Sequence, residues 1–187
     1  MLMQAHRVAV TVTFLRMDHR PEPGPELPAD TSLVRVAQCT VPFYRYLYDT
    51  VGGAYVWWLR RTLPAATLGA ILRDPGVSVY VLYRGNEPAG FFELDGRGHP
   101  VVNLSYFGLL PHVVGHGLGT AFLAAAIETA WGLQPGVRAI TVNTCTADHP
   151  RALPGYLAAG FKTMRRLDEI WDVPTRLGLS IPRHLLV

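Results

Sequence analysis

The chain has 187 residues, a length suited to one domain over residues 1–187, and its 49% hydrophobic and 17% charged residues exclude a disordered protein. A formal net charge of +3, with basic pairs only at Arg60–Arg61 and Arg165–Arg166, argues against a nucleic-acid partner, and no apolar run approaches the ~18 residues of a membrane helix. Cys39 and Cys145 form neither a C-x-x-C pair nor a metal-ligand set, which predicts no metal site and a reducing, cytoplasmic location.

The N-terminal part of the chain predicts two strands separated by a loop. Residues 8–15 alternate apolar side chains with threonine and lead to no cleavage site, which favours a β-strand over a signal segment. Four prolines within residues 21–28 make residues 20–30 an exposed loop of polyproline character. Residues 33–37 predict the second strand.

The middle and the end of the chain predict a sheet with few helices. Residues 66–73 form a short helix that ends at an Asp-Pro-Gly turn. Three strands joined by turns then follow, over residues 77–83, 88–94 and 101–107. A strand at 137–144, a helix at 147–159 and a strand at 161–173 complete the sheet, and residues 174–187 form a tail that either covers the core or joins a dimer.

The most informative stretch connects the third of these strands to a helix. Gly115, Gly117 and Gly119 are spaced two residues apart and let a ligand approach the backbone closely. Residues 121–131 are strongly helical, with one broad apolar face. The first amides of such a helix lack internal acceptors and lie at its positive end, and residues 109–127 contain no acidic side chain. The pattern predicts an anion-binding turn; the alternative is a tight turn and nothing more.

Two common anion-binding motifs are excluded by the residue that follows the last glycine. A Walker loop requires lysine at this point, whereas Gly119 is followed by Thr120. A dinucleotide-binding fingerprint would require glycine at position 120. The turn therefore predicts neither an NTPase nor a nicotinamide enzyme.

Two segments resemble the GCN5-related N-acetyltransferases (GNAT). In that family a strand with a V-x-P-like end leads into the loop R/Q-x-x-G-x-G/A. In this chain the strand end matches Leu109-Leu110-Pro111, and the loop matches Val114-Gly115-His116-Gly117-Leu118-Gly119. Val114 stands where Arg or Gln is usual. Residues 148–161 resemble the family's N-x-x-A-x-x-x-Y-x-x-x-G-F ending. His149 stands where the family has asparagine. The four residues that match the pattern in register are Ala152, Tyr156, Gly160 and Phe161. The resemblance covers about residues 77–165.

The resemblance implies a fold and a cofactor. The fold is mixed α/β, with a mostly antiparallel, twisted central sheet of six or seven strands and about four flanking helices. The cofactor is acetyl-CoA, whose pyrophosphate is held mainly by backbone amides. The residues implied in its binding are Phe107, Leu109, Val114, Gly115, His116, Gly117, Leu118, Gly119 and Thr120.

The resemblance also implies catalytic roles. Tyr156 is the general acid beside the sulfur, and the strand end at Leu109 offers its N–H to the acetyl carbonyl. Many relatives carry a glutamate where this chain has Asn103, which cannot accept a full proton. Glu93, on the preceding strand, is the nearest carboxylate; His149 and a water chain are the other candidates for the base, because an amine must be deprotonated before it attacks.

The resemblance also implies that the aromatic stretch between residues 43 and 58 forms one wall of the acceptor site. Its tyrosine and tryptophan side chains need hydrogen-bond partners when they are buried, so a pocket for an aromatic or amphipathic acceptor is expected; the alternative is helix–sheet packing. The residues predicted to line that pocket are Tyr44, Tyr48, Tyr55 and Trp58.

These observations favour an N-acetyltransferase that acts on the primary amine of a small molecule, with a homodimer as one alternative for its assembly. A coenzyme A-binding module with little catalysis and a protein N-acetyltransferase are the alternative functions. A hydrolase triad of Ser105, Asp148 and His149 lacks its G-x-S-x-G turn, and Cys145 beside His149 makes neither a thiol triad nor a zinc set.

Overall fold

A computed structural model describes residues 4–187 and shows seven strands and five α-helices in that part of the chain. The strands are β1 (Ala5–Met17), β2 (Thr31–Arg35), β3 (Val77–Arg84), β4 (Glu87–Asp95), β5 (Val101–Leu109), β6 (Ala139–Cys145) and β7 (Lys162–Pro174). The helices are α1 (Val41–Gly52), α2 (Leu59–Thr62), α3 (Ala65–Arg73), α4 (Leu118–Trp131) and α5 (Ala152–Ala158).

All seven strands form one sheet in the order β2-β3-β4-β5-β6-β1-β7. Every neighbouring pair is antiparallel except β5–β6, which is parallel. The predicted mixed α/β fold with a mostly antiparallel sheet is therefore confirmed. The first strand, β1, lies between β6 and β7, so β1 and the last strand, β7, pair with each other at one side of the sheet.

Alternation along β4 divides the core between the two faces of the sheet. Phe91 is fully buried against α1 and α3, and Phe92 is fully buried on the opposite face against α4, because successive strand residues point to opposite sides. The apolar face of α4 packs there as its sequence predicts, with its phenylalanine Phe122 in contact with the rings of Phe92 and Phe107.

The C-terminal tail covers one end of the sheet. Leu185 is buried against Val8, Val10 and Val12 of β1, and a single antiparallel bridge joins Val8 to Leu186. The tail thus takes the side of β1 that β6 is too short to reach, since β6 pairs with β1 only from Val12 onward.

Helix α5 and strand β1 differ markedly from their predicted bounds. Helix α5 begins at Ala152, not at residue 147, because Asp148 forms a turn: its carboxylate accepts hydrogen bonds from the Thr144 hydroxyl at 2.8 Å and the Cys145 N–H at 3.0 Å. Pro150 also disfavours a helical conformation at the residue before it. Strand β1 is longer than predicted, since its pairing with β7 continues to Ala5.

The proline-rich loop lies across α4. Gly24 packs so closely on Ala124 that a Cβ at Gly24 would be 2.6 Å from the Cβ of Ala124, and Arg20 forms an ion pair with Glu128. No helix in residues 4–187 combines the length and the apolar character needed to cross a bilayer.

Candidate active site

The sheet is split between its two parallel strands. The β5–β6 ladder extends only from Val101 to Leu104, although β5 stays paired with β4 as far as Leu109 and β6 stays paired with β1 as far as Cys145. Ser105 is the extra residue of a β-bulge in β5, and such a bulge bends the strand that carries it. The bend follows immediately on the last paired residue, so the two strands diverge from that point.

A cavity of about 1570 Å³ occupies the split. The diverging halves of β5 and β6 form its centre, the glycine turn and α4 form one end, and the segment between α1 and α2 forms the other. A volume of this size exceeds that of ordinary small-molecule sites, about 300–1,000 Å³, and suits a long ligand or two ligands together.

The glycine turn presents free backbone amides to the cavity. Gly115 and Gly117 have φ of 88° and 78°, in the left-handed region where a side chain is strained, and a Cβ at either position would meet no atom within 4 Å. Gly117 is the N-cap of α4, where no side chain caps the helix and no acidic residue lies in the first turn. The helix dipole and the uncapped N–H groups therefore make this end of the cavity electrostatically suited to an anion.

Most of the predicted cofactor residues line the cavity, but two do not. Gly115, Gly117, Gly119, Phe107, Leu109, Val114 and Thr120 all line it. His116 is exposed outside the lining, and Leu118 is buried in the core beneath α4. A side chain at either position is directed away from the cavity, so any contact with a ligand would involve the backbone alone.

The proline-rich loop contributes a wall that the sequence did not indicate. Residues 21–27 line the cavity together with Ala124 and Glu128 of α4. Proline composition predicts an exposed connection, and it carries no signal for the helix on which that connection lies.

Tyr156 lies in the wall of the cavity at its centre. Its ring contacts Phe107 and Phe161 edge to face, with ring centroids 6.4 Å and 5.8 Å apart. Gly160, with φ of 101°, ends α5 in the left-handed region and turns Phe161 back toward the tyrosine. Burial, helped by the charge of Asp148, raises the pKa of the Tyr156 hydroxyl well above its ordinary value, so this group is a neutral O–H donor at physiological pH.

Four carboxylates line the cavity, those of Glu22, Glu26, Glu128 and Asp148, and sequence reasoning assigned no catalytic role to Asp148. Besides its two turn hydrogen bonds, it accepts one at 3.1 Å from Trp57 Nε1, a residue 91 positions earlier. Three donors hold the carboxylate in one orientation and leave it capacity for a further donor. Its charge also contributes, after burial, to the raised pKa of Tyr55. The Asp-His-Pro sequence at the helix start was the available signal.

Aromatic side chains line the cavity around Asp148. Of the residues predicted for the acceptor pocket, Tyr48, Tyr55 and Trp58 line the cavity, although Tyr48 is almost fully buried. Three aromatic residues that were not predicted also line it here: Trp171, and Trp57 and Tyr106, whose ring centroids are 5.2 Å apart. Tyr44 does not line the cavity. It lies on the buried face of helix α1, in the core, where it is fully buried.

The aromatic segment is held by a strained turn. Val56, a β-branched residue, has φ of 58°, a conformation that costs on the order of 1–3 kcal/mol. Its side chain is buried against the valines of β1, which keeps the turn in place while its neighbours Tyr55 and Trp57 line the cavity.

Glu93 lies behind the cavity wall and not in it. Its carboxylate is fully buried, accepts a hydrogen bond from the Tyr44 hydroxyl at 2.5 Å and forms an ion pair with Arg60 at 2.5 Å. Burial raises the pKa of Glu93, and the Arg60 charge and the Tyr44 hydrogen bond oppose that rise. Both oxygens are thus engaged within the protein. The pair joins α2 to β4, and Arg60 also lies over the Tyr106 ring, 5.3 Å from its centroid.

The polar groups of the other candidate residues form hydrogen bonds within the protein or are buried in it. Asn103 lines the cavity, but its amide donates to Thr141 at 3.1 Å and accepts from Ser105 at 3.2 Å. The His149 ring accepts the Arg151 N–H at 3.1 Å, in the turn before α5. Burial, with the nearby Asp148 charge, raises the pKa of the Cys145 thiol to about 12, which excludes a thiolate at neutral pH. Residues 4–187 contain no cluster of acidic, histidine or cysteine side chains suited to a metal ion.

The assembled site can hold a long ligand with an anionic end and place it beside a proton donor and a carboxylate. The anionic end of such a ligand would meet the α4 amides, its middle would lie in the gap between β5 and β6, and its far end would lie beside Tyr156 and Asp148. Such an arrangement suits transfer of a group to an amine that enters from the aromatic side.

Comparison with solved structures shows the same fold in several proteins. The chain aligns over 92% of its length with a GCN5-related N-acetyltransferase from Kribbella flavida (TM-score 0.60, 16% identity, 62% of that chain). It aligns over 90% with a tandem GNAT protein from the clavulanic acid biosynthesis pathway (TM-score 0.59, 21% identity, 55% of that chain). It aligns over 72% with an aminoglycoside acetyltransferase from an uncultured soil metagenomic sample (TM-score 0.56, 16% identity, 90% of that chain).

The first two of these proteins are longer than this chain, which spans between half and two thirds of their length. No curated protein sequence matches the chain significantly. The model of the Acetyltransferase (GNAT) family matches residues 38–161, well over half of the sequence, and this range contains the split strands, the glycine turn and Tyr156. The chain belongs to the GNAT acetyltransferase family.

Proposed function

We propose that this protein transfers an acetyl group from acetyl-CoA to the primary amine of a small acceptor with aromatic or amphipathic character. The observation that carries the proposal is one continuous cavity, which joins the uncapped start of α4 to a carboxylate surrounded by aromatic rings. Family membership supports acyl transfer, and the lining of the cavity supports the choice of acceptor.

The cofactor half of the cavity fits acetyl-CoA. The amides that follow Gly117 are free for the diphosphate. The part of β5 around Leu109, which does not pair with β6, borders the gap in which the rest of the molecule would lie. Acetyl-CoA supplies the thioester. Val114, where the family has Arg or Gln, contributes no charge, so the backbone of the turn would bind the diphosphate.

During the transfer the acceptor nitrogen must lose protons and the leaving sulfur must gain one. The acceptor amine is mostly protonated near neutral pH, so it loses one proton to a base before its lone pair attacks the thioester carbonyl, and the nitrogen loses a second proton once the C–N bond has formed. We assign the role of the base to Asp148, directly or through a water, because its carboxylate lines the cavity beside Trp57 whereas Glu93 does not line it. As the C–S bond breaks, the neutral hydroxyl of Tyr156 donates a proton or a hydrogen bond to the leaving sulfur.

The acceptor end favours a cation with an apolar body. The Asp148 carboxylate attracts an ammonium group, and the faces of Trp57, Tyr55 and Tyr106 add cation–π attraction and apolar contact. The neighbour from soil acetylates aminoglycosides and a second neighbour, from Bacillus cereus, is an IAA acetyltransferase; at 16% and 18% identity these acceptors do not transfer to this chain.

A second candidate function is a coenzyme A-binding module without turnover. The burial of Glu93 in an ion pair and the presence of Asn103 at the family's glutamate position favour it. This candidate predicts cofactor binding that no amine converts into free coenzyme A.

Calorimetric titration with acetyl-CoA tests the cofactor site. Gly119, the second residue of α4, has ordinary helical geometry, and a Cβ there would meet only Leu109 at 3.9 Å. A Gly119→Asp variant should fold, because a carboxylate suits the start of a helix, but should lose acetyl-CoA binding through repulsion of the diphosphate. Gly119→Asn has the same shape without the charge and should bind. Absence of binding by the wild type would refute the cofactor assignment.

Release of free thiol then tests the acceptor. The wild-type protein is assayed with arylalkyl amines, polyamines and aminoglycosides. Turnover of arylalkyl amines supports the proposal, turnover of polyamines or aminoglycosides alone refutes the aromatic acceptor, and binding without turnover of any amine favours the second candidate.

A further inference from the structure

The outer edge of β7 is long and open. The strand has 13 residues, about twice the length of a typical strand, and it forms backbone hydrogen bonds with β1 on one side. On its other side, no residue of the described part of the chain pairs with it. Three large apolar side chains are exposed along it, with exposed fractions of 61% for Met164, 39% for Leu167 and 53% for Ile170.

Charge is segregated along this strand. Its first half is basic and its second half is acidic, with Leu167 between them: Lys162, Arg165 and Arg166 precede it, and Asp168, Glu169 and Asp172 follow it. The three apolar residues are also symmetric about Leu167, since Met164 and Ile170 lie three positions before and after it. Two antiparallel copies of such a strand are complementary to each other.

We propose that β7 pairs antiparallel with β7 of a second copy of this chain, with the two-fold axis at Leu167. In this register Arg166 lies opposite the partner's Asp168, and Arg165 lies opposite the partner's Glu169. Met164 is the extra residue of a β-bulge in β7, opposite the step from Phe14 to Leu15 in β1, so the paired ladder covers residues 165–169. Opposite charges and apolar pairs directly across an antiparallel ladder stabilise it, and the interface is isologous, as a two-fold dimer requires.

The register follows from the backbone and from the charges. From Arg165 onward, beyond the bulge at Met164, outward-facing amides alternate along β7, so a symmetric pair of edges can hydrogen-bond only when the two-fold axis passes through a residue and not between two residues. An axis at Arg166 or at Asp168 would place two arginines or two aspartates opposite each other, which is destabilising. An axis at Leu167, between these two residues, avoids both like-charge pairs.

Charged residues on an edge strand are also a common protection against unwanted pairing, and this is the rival explanation. Protection requires only charge, in any order. It does not require basic residues on one side of a central leucine and acidic residues on the other. The segregated order is what favours a defined partner.

Sedimentation analysis of two charge-reversal variants tests the proposal. The wild-type protein should sediment at twice the chain mass of 20.6 kDa. Arg166→Asp and Asp168→Arg each place like charges opposite each other twice per dimer, so each variant alone should dimerise on the order of ten-fold or more weakly. An equimolar mixture of the two should form a mixed dimer of wild-type strength, because both cross-strand pairs are then attractive again.

Two further samples separate a specific interface from a general effect. Arg138→Asp makes the same charge change at an exposed arginine before β6 that forms no ion pair within residues 4–187, and it should dimerise as the wild type does. Asp168 accepts a hydrogen bond from the Thr11 hydroxyl at 2.7 Å, so if Asp168→Arg does not fold, Arg165→Asp and Glu169→Arg take the place of the first pair. A monomeric wild type at the highest soluble concentration, or a mixture that stays monomeric, overturns the proposal.

Discussion

The ion pair between Arg60 and Glu93 should dominate the stability of the acceptor side of the site. The Glu93 side chain is 1% exposed and that of Arg60 is 14% exposed, so removing the arginine leaves a carboxylate buried without a counter-charge. Breaking a buried pair in this way costs about 3–5 kcal/mol. We therefore expect Arg60→Met, which keeps an apolar side chain of similar length, to lower the free energy of unfolding by that amount at pH 7.5.

The loss should depend on pH in a defined direction. Burial already raises the pKa of Glu93, and removing the Arg60 charge removes the main opposing cause, so the pKa rises further in the variant. A carboxyl whose pKa is higher in the folded than in the unfolded state binds a proton on folding. Its destabilising effect is therefore full above the folded pKa and disappears as pH falls toward the unfolded value of about 4.3.

Urea denaturation followed by circular dichroism at pH 7.5 and pH 5 measures both effects. Arg61→Met is the matched control: Arg61 lies next in the chain, and its partner Asp49, 3.0 Å away, is 45% exposed, so the loss should be below about 1 kcal/mol. Arg60→Met combined with Glu93→Gln should recover most of the stability, because no buried charge remains. A loss below about 1 kcal/mol for Arg60→Met, or a loss that is equal at both pH values, would refute a buried charged pair.

Three further changes test the cavity. Gly24→Ala should lift the proline-rich loop from α4 and weaken acetyl-CoA binding in calorimetry, and adding Ala124→Gly should restore it; unchanged binding in Gly24→Ala contradicts the loop's role. Tyr156→Phe should lower kcat by about 10²-fold with acetyl-CoA binding intact, whereas an unchanged kcat removes the tyrosine from proton transfer. Asp148→Asn should lower kcat/KM for amines by about 10²-fold. Glu87→Gln, an exposed change at the β3–β4 turn, is its control in the same assay. Equal kcat/KM values for the two variants would exclude Asp148 as the base.

Sequence reasoning succeeded where the signal is contiguous. The glycine turn, the apolar face of α4 and the register of Tyr156, Gly160 and Phe161 each lie within a few turns of one element, so periodicity and local geometry predict them. The family and the mostly antiparallel sheet followed from these segments. Residues 101–107 were likewise predicted as a strand, and the structure extends it to Leu109.

The same reasoning failed where a residue's surroundings come from distant parts of the chain. Tyr44 and Glu93 were predicted for the cavity, yet each is buried against the other across 49 positions. Asp148 was read only as a possible triad member, although its hydrogen bond from Trp57 connects two segments that no local pattern relates. Whether a polar side chain faces a ligand or another side chain depends on that partner.

The sequence by itself determined the family, the glycine turn and the order of the central strands along the chain, because these depend on backbone conformation and on spacing along one segment. Only the tertiary structure decided that β1 lies between β6 and β7, that the proline-rich loop forms a cavity wall, and that Asp148 rather than Glu93 faces the cavity. These features depend on which surfaces pack together, and packing joins residues whose separation in the chain carries no periodic signal.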